Sequence, residues 1–218
     1  MAHASICVRE SEGKGRGLFA TARIEPGEQL LRAVPCVAVP NDEQLSSRCC
    51  VCLGAAHEQC TRCKSAALCR RCAGSAARQV HTDECAALKR LAASPVGPGA
   101  GCRPADSRSL RLLIRLLLWR WRLLGGGSDG GGGLAAGSEW WGEGDALCEE
   151  SLDDVLELAA PPPEQLSDAL AQAFFHMAQQ ARFVLDAEAR CGLDEAASLM
   201  SIVPRGLHAP LRGLACCA

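Results

Sequence analysis

Cys49-Cys50-Val51-Cys52, Cys60-Thr61-Arg62-Cys63, Cys69-Arg70-Arg71-Cys72 and His81-Thr82-Asp83-Glu84-Cys85 follow one another in a single short stretch. They read as three Cys-x2-Cys pairs and one His-x3-Cys pair. A Cys-x2-Cys pair bends around one tetrahedral ion because its turn brings both sulfurs to the same side. A His and a Cys four residues apart on a helix project from one face and can share an ion. Four such pairs suffice for two four-coordinate sites, and closed sites of this kind are structural rather than hydrolytic. Thiolate-rich tetrahedral ligation selects zinc over magnesium or calcium. The closing His and the paired spacing favour zinc over an iron–sulfur cluster. Unrelated buried thiols are a poor account of four regular pairs in so short a span. The candidate ligands are therefore Cys49, Cys52, Cys60, Cys63, Cys69, Cys72, His81 and Cys85, with two Zn²⁺ ions as the expected cofactor.

Cys50 cannot replace Cys49 in a Cys-x2-Cys pair, because position 53 is Leu. His57 lies between the pairs but out of register and reads as a loop residue. Cys7, Cys36, Cys102, Cys148, Cys191, Cys216 and Cys217 are scattered and read as small buried hydrophobes or inert surface thiols.

Before the cluster, residues 5–39 read as short strands joined by tight turns. The candidates are Ile6–Val8, Gly17–Ala20, Gln29–Ala33 and Cys36–Val39. Gly13-Lys14-Gly15-Arg16-Gly17 and Glu25-Pro26-Gly27-Glu28 supply the turn signals. Residues 40–48 form a polar connection. After the cluster the pattern becomes helical. Ala86–Ala93 extends the last helix of the cluster, and a Pro/Gly-rich run over 94–104 ends it. Leu110–Leu124 is too short and too charged for a membrane span. At about 100° per residue, Arg108, Arg111, Arg115 and Arg122 share one face of this helix, which reads as a solvated basic stripe. Gly125–Gly133 is a flexible low-complexity loop. Ser151–Asp154 resembles a capping box opening a short helix to Leu158. Leu166, Leu170, Phe174, Met177, Ala181 and Val184 recur at helical spacing, predicting a helix that ends near Gly192, and a last helix spans about Asp194 to Ile202. His176 reads as an ordinary helix residue, since no nucleophile or acid motif surrounds it. The fold class expected is α+β.

The chain has 218 residues, a formal net charge of −2 and 15 cysteines. Its N-terminus lacks a continuous apolar run, so a reducing, intracellular setting (cytoplasm and/or nucleus) is expected, where clustered thiols hold metal. Between Arg48 and Arg90 basic side chains outnumber acidic ones by five. Seven ligand thiolates and two Zn²⁺ reduce that excess to two, too mild a field for specific nucleic-acid reading. No membrane association is expected either.

With these residues in view, the cluster resembles a MYND finger. In this family two interleaved sites end in a His and a Cys on a short helix. The resemblance implies that Cys49, Cys52, Cys69 and Cys72 hold one ion, and Cys60, Cys63, His81 and Cys85 the other. The family usually has three residues inside its third pair, whereas Cys69 and Cys72 have two between them. Glu12-Gly13-Lys14-Gly15-Arg16-Gly17-Leu18-Phe19-Ala20-Thr21 and Ile24-Glu25-Pro26-Gly27-Glu28 resemble the opening of a SET domain. A SET segment interrupted by a MYND finger and followed by helices is similar to the layout of SET and MYND domain protein-lysine methyltransferases. The implied domains are an N-terminal SET segment over 1–48, the finger over 49–85, a helical region over 86–205 and an unmatched tail over 206–218.

In that family the glycine-rich turn binds S-adenosylmethionine through its backbone, which would make Lys14, Gly15, Arg16 and Gly17 cofactor-binding. The family's catalytic half carries an Asn-His-Ser-Cys motif and a later Tyr. This chain has one Asn, Asn41, and no Tyr. No catalytic residue is assigned, and the 218-residue chain is expected to be inactive in methyl transfer. The function implied is a zinc-binding finger on an incomplete methyltransferase scaffold, mediating protein–protein interaction. By resemblance, its partner is a protein or proline-rich peptide. The alternative is an S-adenosylmethionine-dependent protein-lysine N-methyltransferase whose catalytic half lies outside this sequence.

Overall fold

The computed structural model describes residues 5–13, 15–30, 37–93, 107–124 and 167–199. Short strands and helices coexist in it, as the α+β expectation requires. The chain divides into two compact units, one holding the described residues up to 30 and the other those from 37 onward.

The first unit is built on a hairpin. β1 (Ile6–Ser11) pairs antiparallel with β2 (Gly15–Ala20), running from Ile6 opposite Ala20 to Ser11 opposite Gly15. The turn falls at Glu12–Gly13, where Gly13 has φ +68°, a conformation only glycine adopts without strain. Gly15, Arg16 and Gly17 therefore lie in the strand rather than in the turn that the glycine spacing predicts. Gly17 keeps that ladder regular for another reason: a Cβ there would sit 3.3 Å from the Phe19 ring. The Arg9 guanidinium covers the same ring at 4.8 Å from its centroid. A second turn is closed by Glu28 N–H donating to Glu25 O at 3.1 Å.

The predicted strands Gln29–Ala33 and Cys36–Val39 are not present where they can be seen. Gln29, Leu30 and residues 37–39 have no regular structure, and residues 31–36 lie outside the described ones. The Ala38 carbonyl bonds an arginine side chain instead of a neighbouring strand.

In the second unit, a small sheet joins β3 (Glu58–Gln59) to β4 (Ala67–Leu68). It leads into α1 (Arg70–Ala73) and α2 (Arg78–Ala93). α2 packs on α3 (Ser107–Leu123) and on α4 (Asp168–Val184), which also pack on each other. Their shared core holds Leu88, Leu113, Ile114, Leu117, Phe174, Met177, Ala181 and Val184. α4 opens at Ser167, whose Oγ accepts from Leu170 N–H at 3.3 Å. It ends eight residues before the expected Gly192. There Arg90 donates to the Val184 carbonyl at 2.7 Å and pairs with Asp186, and a 3-10 turn, Ala187–Ala189, follows. Residues 193–199 are helical. The expected capping box at Ser151, the Gly125–Gly133 loop and the tail lie outside the described residues. Among the described residues, no helix is long and apolar enough to cross a membrane.

The arginine stripe of α3 is not a solvated face. Arg111 and Arg115 are buried, at 6 % and 8 % exposure. Leucine, isoleucine and tryptophan occupy the remaining sides of this helix, so it is covered all round, and the arginines inside it need partners. Arg111 pairs with Asp42 and donates to Pro40 O at 2.9 Å. Arg122 pairs with Asp83, and Arg120 with Glu195 at 2.7 Å.

Candidate metal centre

Each Cys-x2-Cys pair needs a chain reversal that turns both sulfurs inward. After the first two pairs this reversal takes one form. Leu53 N–H donates to Cys49 O at 3.0 Å, and Lys64 N–H donates to Cys60 O at 3.0 Å. Leu53 (φ 57°) and Lys64 (φ 55°) are in the left-handed region, which costs a non-glycine residue about 1–2 kcal/mol. Two unrelated side chains carrying the same strain at equivalent places mark a repeated local structure. The third pair is built differently. Cys69 is the N-cap of α1, and its Sγ accepts from Cys72 N–H at 3.4 Å. One helical turn thus serves for this pair, which has two intervening residues where the resembled finger has three. The fourth pair lies one turn apart on α2, so His81 and Cys85 share a face.

The eight predicted side chains come together in two groups. Cys49, Cys52, Cys69 and Cys72 form the first, and Cys60, Cys63, His81 and Cys85 the second; within each, all ligand atoms lie within 4.8 Å of one another. This is the interleaved membership that the resemblance implies, and it includes Cys72. Cys52 and Cys69 sulfurs are 3.7 Å apart, and Cys60 and Cys85 sulfurs 3.8 Å. Cys63 Sγ is 3.8 Å from His81 Nε2. A tetrahedral zinc with bonds of about 2.3 Å to sulfur sets its ligands about 3.8 Å apart, so the residues present fit such an ion. Five of the eight candidates, Cys49, Cys63, Cys72, His81 and Cys85, are no more than 4 % exposed. The cysteines among the described residues are free thiols.

The electrostatics separate the thiols within each group. Burial opposes ionisation of Cys60, but the N–H groups of Cys63 and Arg62 and the His81 ring outweigh it and bring the thiol down to about 6. Cys69 comes down to about 7 against burial, through the N–H of Cys72 and the neighbouring thiols. Burial pushes Cys63 up to about 12, and raises Cys72 and Cys85 as well. Each group thus holds one thiol disposed to ionise first, and the thiolate is the form that ligates metal. Burial disfavours a charged His81, yet Glu84 and Cys60 raise its pKa overall. The same negative surroundings favour a cation at Nε2.

Two residues of this centre were not legible as such in the sequence. Glu84 is 3 % exposed and lies 3.6 Å from His81 Nδ1. Arg115 donates to both of its oxygens, through Nε to Oε2 at 2.9 Å and through Nη2 to Oε1 at 2.5 Å. Burial alone would raise the Glu84 pKa, but Arg115 and His81 hold it below the usual carboxylate range. The i, i+3 spacing of His81 and Glu84 on a helix was the one available signal. Cys50 also belongs to this neighbourhood, with its thiol pushed up by burial and by Glu84. His57 and His176 are exposed and away from both groups. Gly15, Arg16 and Gly17 belong to the separate hairpin unit, and Lys14 lies outside the described residues.

No family model matches the chain. A histone-lysine N-methyltransferase of Arabidopsis thaliana, ASHR1, is 32 % identical over 108 residues, which is 49 % of this chain. The match spans 21 % of that relative's length. This similarity and the cysteine groups agree with a zinc-binding module of the MYND type.

Proposed function

We propose that residues 49–85 are a two-zinc MYND-type finger on a SET-type scaffold, and that the finger is a structural module through which the protein engages a protein or proline-rich peptide. The observation that carries this reading is the pair of four-ligand groups at tetrahedral spacing. With four protein ligands each, the ions would have no position for substrate or water, so their contribution is to hold a binding surface in shape. Residues 1–48 and 86–205 would then be the flanking SET-like segment and helical region.

Elemental analysis of freshly purified, reduced protein should find two zinc ions per chain. Cys72→Ser should remove the ion of the first group, and Cys60→Ser or His81→Ala that of the second, each leaving one. One ion or none in the unaltered chain would overturn the reading. The interaction role is tested separately with proline-rich peptides. Binding should disappear on chelation and return with zinc, and binding indifferent to chelation would sink it.

The similarity to a histone-lysine N-methyltransferase favours a second reading, in which the finger belongs to an S-adenosylmethionine-dependent lysine methyltransferase with Lys14, Gly15, Arg16 and Gly17 near the donor. Tritiated donor with histone and non-histone protein mixtures decides this. Label transfer above a Gly15→Trp, Gly17→Trp blank supports the enzyme, and none is expected from the 218-residue chain.

A further inference from the structure

The second ligand group contains one nitrogen donor, and its orientation is not set by the ligands themselves. His81 Nε2 faces Cys63 Sγ at 3.8 Å. Coordination through Nε2 places the ring proton on Nδ1. That atom is buried and has no hydrogen-bond partner among the described residues. The carboxylate facing it is Glu84 Oε1 at 3.6 Å, so a small rotation of the ring on coordination closes a hydrogen bond. Glu84 cannot turn away, because both of its oxygens are held by Arg115. The Arg115 guanidinium is itself fixed by Nη1, which donates to Cys50 O at 2.6 Å and to Ala38 O.

We infer that Glu84 and Arg115 are positioning residues of the second metal site. Glu84 fixes the His81 ring for coordination through Nε2 and increases its basicity, and Arg115 holds Glu84 in place from α3. A carboxylate behind a ligating imidazole is worth about 10–100-fold in metal affinity. The consequence is that the metal site is completed by a residue 30 positions beyond its last ligand, Cys85, in a helix outside the finger. The inference rests on the reading of Cys60, Cys63, His81 and Cys85 as a metal site.

The test uses the full chain loaded with ¹¹³Cd and read by NMR, which distinguishes a four-sulfur from a three-sulfur, one-nitrogen site. Glu84→Gln and Arg115→Gln should each shift the mixed-site signal and weaken metal retention there about 10–100-fold. The four-sulfur signal should stay in place. Arg122→Gln is the control: it removes an ion pair between the same two helices, to Asp83, with no ligand side chain behind it. It should leave both signals unchanged. Where Arg115→Gln fails to fold, Glu84→Gln with Arg115→Met removes both buried charges together and should still shift the mixed site alone. An unmoved mixed-site signal in Glu84→Gln would overturn the inference. So would equal weakening of both sites, or the same effect from Arg122→Gln. A wild-type chain with no mixed-site signal would overturn the metal-site reading and this inference with it.

Discussion

Removing metal from the finger should unfold residues 49–85 while much of the α3–α4 pairing survives. The apolar interior of this stretch is small: apart from cysteines, its buried hydrophobic side chains are Val51, Ala66, Ala67, Leu68 and Ala77. Val51 and Leu68, the two large ones, each contribute about 1.5–3 kcal/mol. A structural zinc ion contributes an apparent 10–16 kcal/mol or so in small fingers. The loss of either ion therefore exceeds what the two largest apolar side chains supply together, and the backbone at Leu53 and Lys64 is strained besides. In α3 and α4, by contrast, Leu113, Ile114, Ala178 and Ala181 are fully buried in an ordinary apolar interface. Hydrogen exchange read by mass spectrometry, with and without a strong chelator under reducing conditions, measures this directly. The amides of Cys50, Leu53, Cys60 and Lys64, each bonded within the finger, should lose protection on chelation. Those around Leu113–Leu117 and Ala178–Ala181 should keep a substantial part of theirs. Retained protection across 49–85 after complete removal of metal would refute the reasoning.

Three further outcomes are expected. Metal retention at the second site should fall about 100-fold or more per pH unit between pH 8 and 6.5, because Cys63 and Cys85 must each lose a proton to bind and His81, with its raised pKa, adds to the slope, whereas Cys60, lowered to about 6, is largely ionised. The sign follows from the depressed thiol: the contribution of Cys60 is complete above its ordinary value of 9.0 and is lost as pH falls through about 6. A slope of about 10-fold per unit or less, measured by competition with a chromophoric chelator, would show that Cys63 and Cys85 do not both bind as thiolates. Leu113→Ala, at a position with 0 % exposure, should cost about 2–5 kcal/mol in denaturant unfolding, and a loss under 1 kcal/mol would contradict the packing described for α3. Lys64→Gly should leave the zinc-loaded chain as stable or stabilise it by up to about 1 kcal/mol, since relief of left-handed strain slightly exceeds the entropy cost of glycine; clear destabilisation in thermal melts would show that the Lys64 side chain holds the turn.

The four ligand pairs were legible because each is local, whereas which pairs share an ion followed only from the resemblance to the MYND finger. Pair spacing fixes which sulfurs can face one ion, and the fourth pair needs only a helix to work. What the sequence hid depends on contacts distant along the chain. The hydrophobic periodicity of α3 located the helix, but periodicity alone cannot tell a solvated arginine from one buried against Glu84 or Asp42. The end of α4 was misplaced for the same reason, because Arg90 reaches the Val184 carbonyl from another helix. In the hairpin, five residues with alternating glycine suggested a broad turn. Pairing with β1 up to Ser11 opposite Gly15 draws most of that run into the strand and leaves the reversal to Glu12 and Gly13.

α2 is one continuous helix that serves two masters: His81 and Cys85 near its start are ligand candidates, and Leu88 and Arg90 further on belong to the helical core and its ion pairs. That continuity imposes a rule on chain length. Inserting or deleting a single residue between Cys85 and Leu88 would swing every later side chain by about 100° around the axis and slide it by about 1.5 Å. Leu88 would leave the core and Arg90 would lose Asp186, although no residue had been substituted. A seven-residue insertion nearly restores the angle after two turns but displaces the helical region by about 10.5 Å along the axis. Relatives that keep this arrangement should therefore vary in residue type only at the exposed positions of 78–93 and hardly at all in residue number, while length changes gather elsewhere.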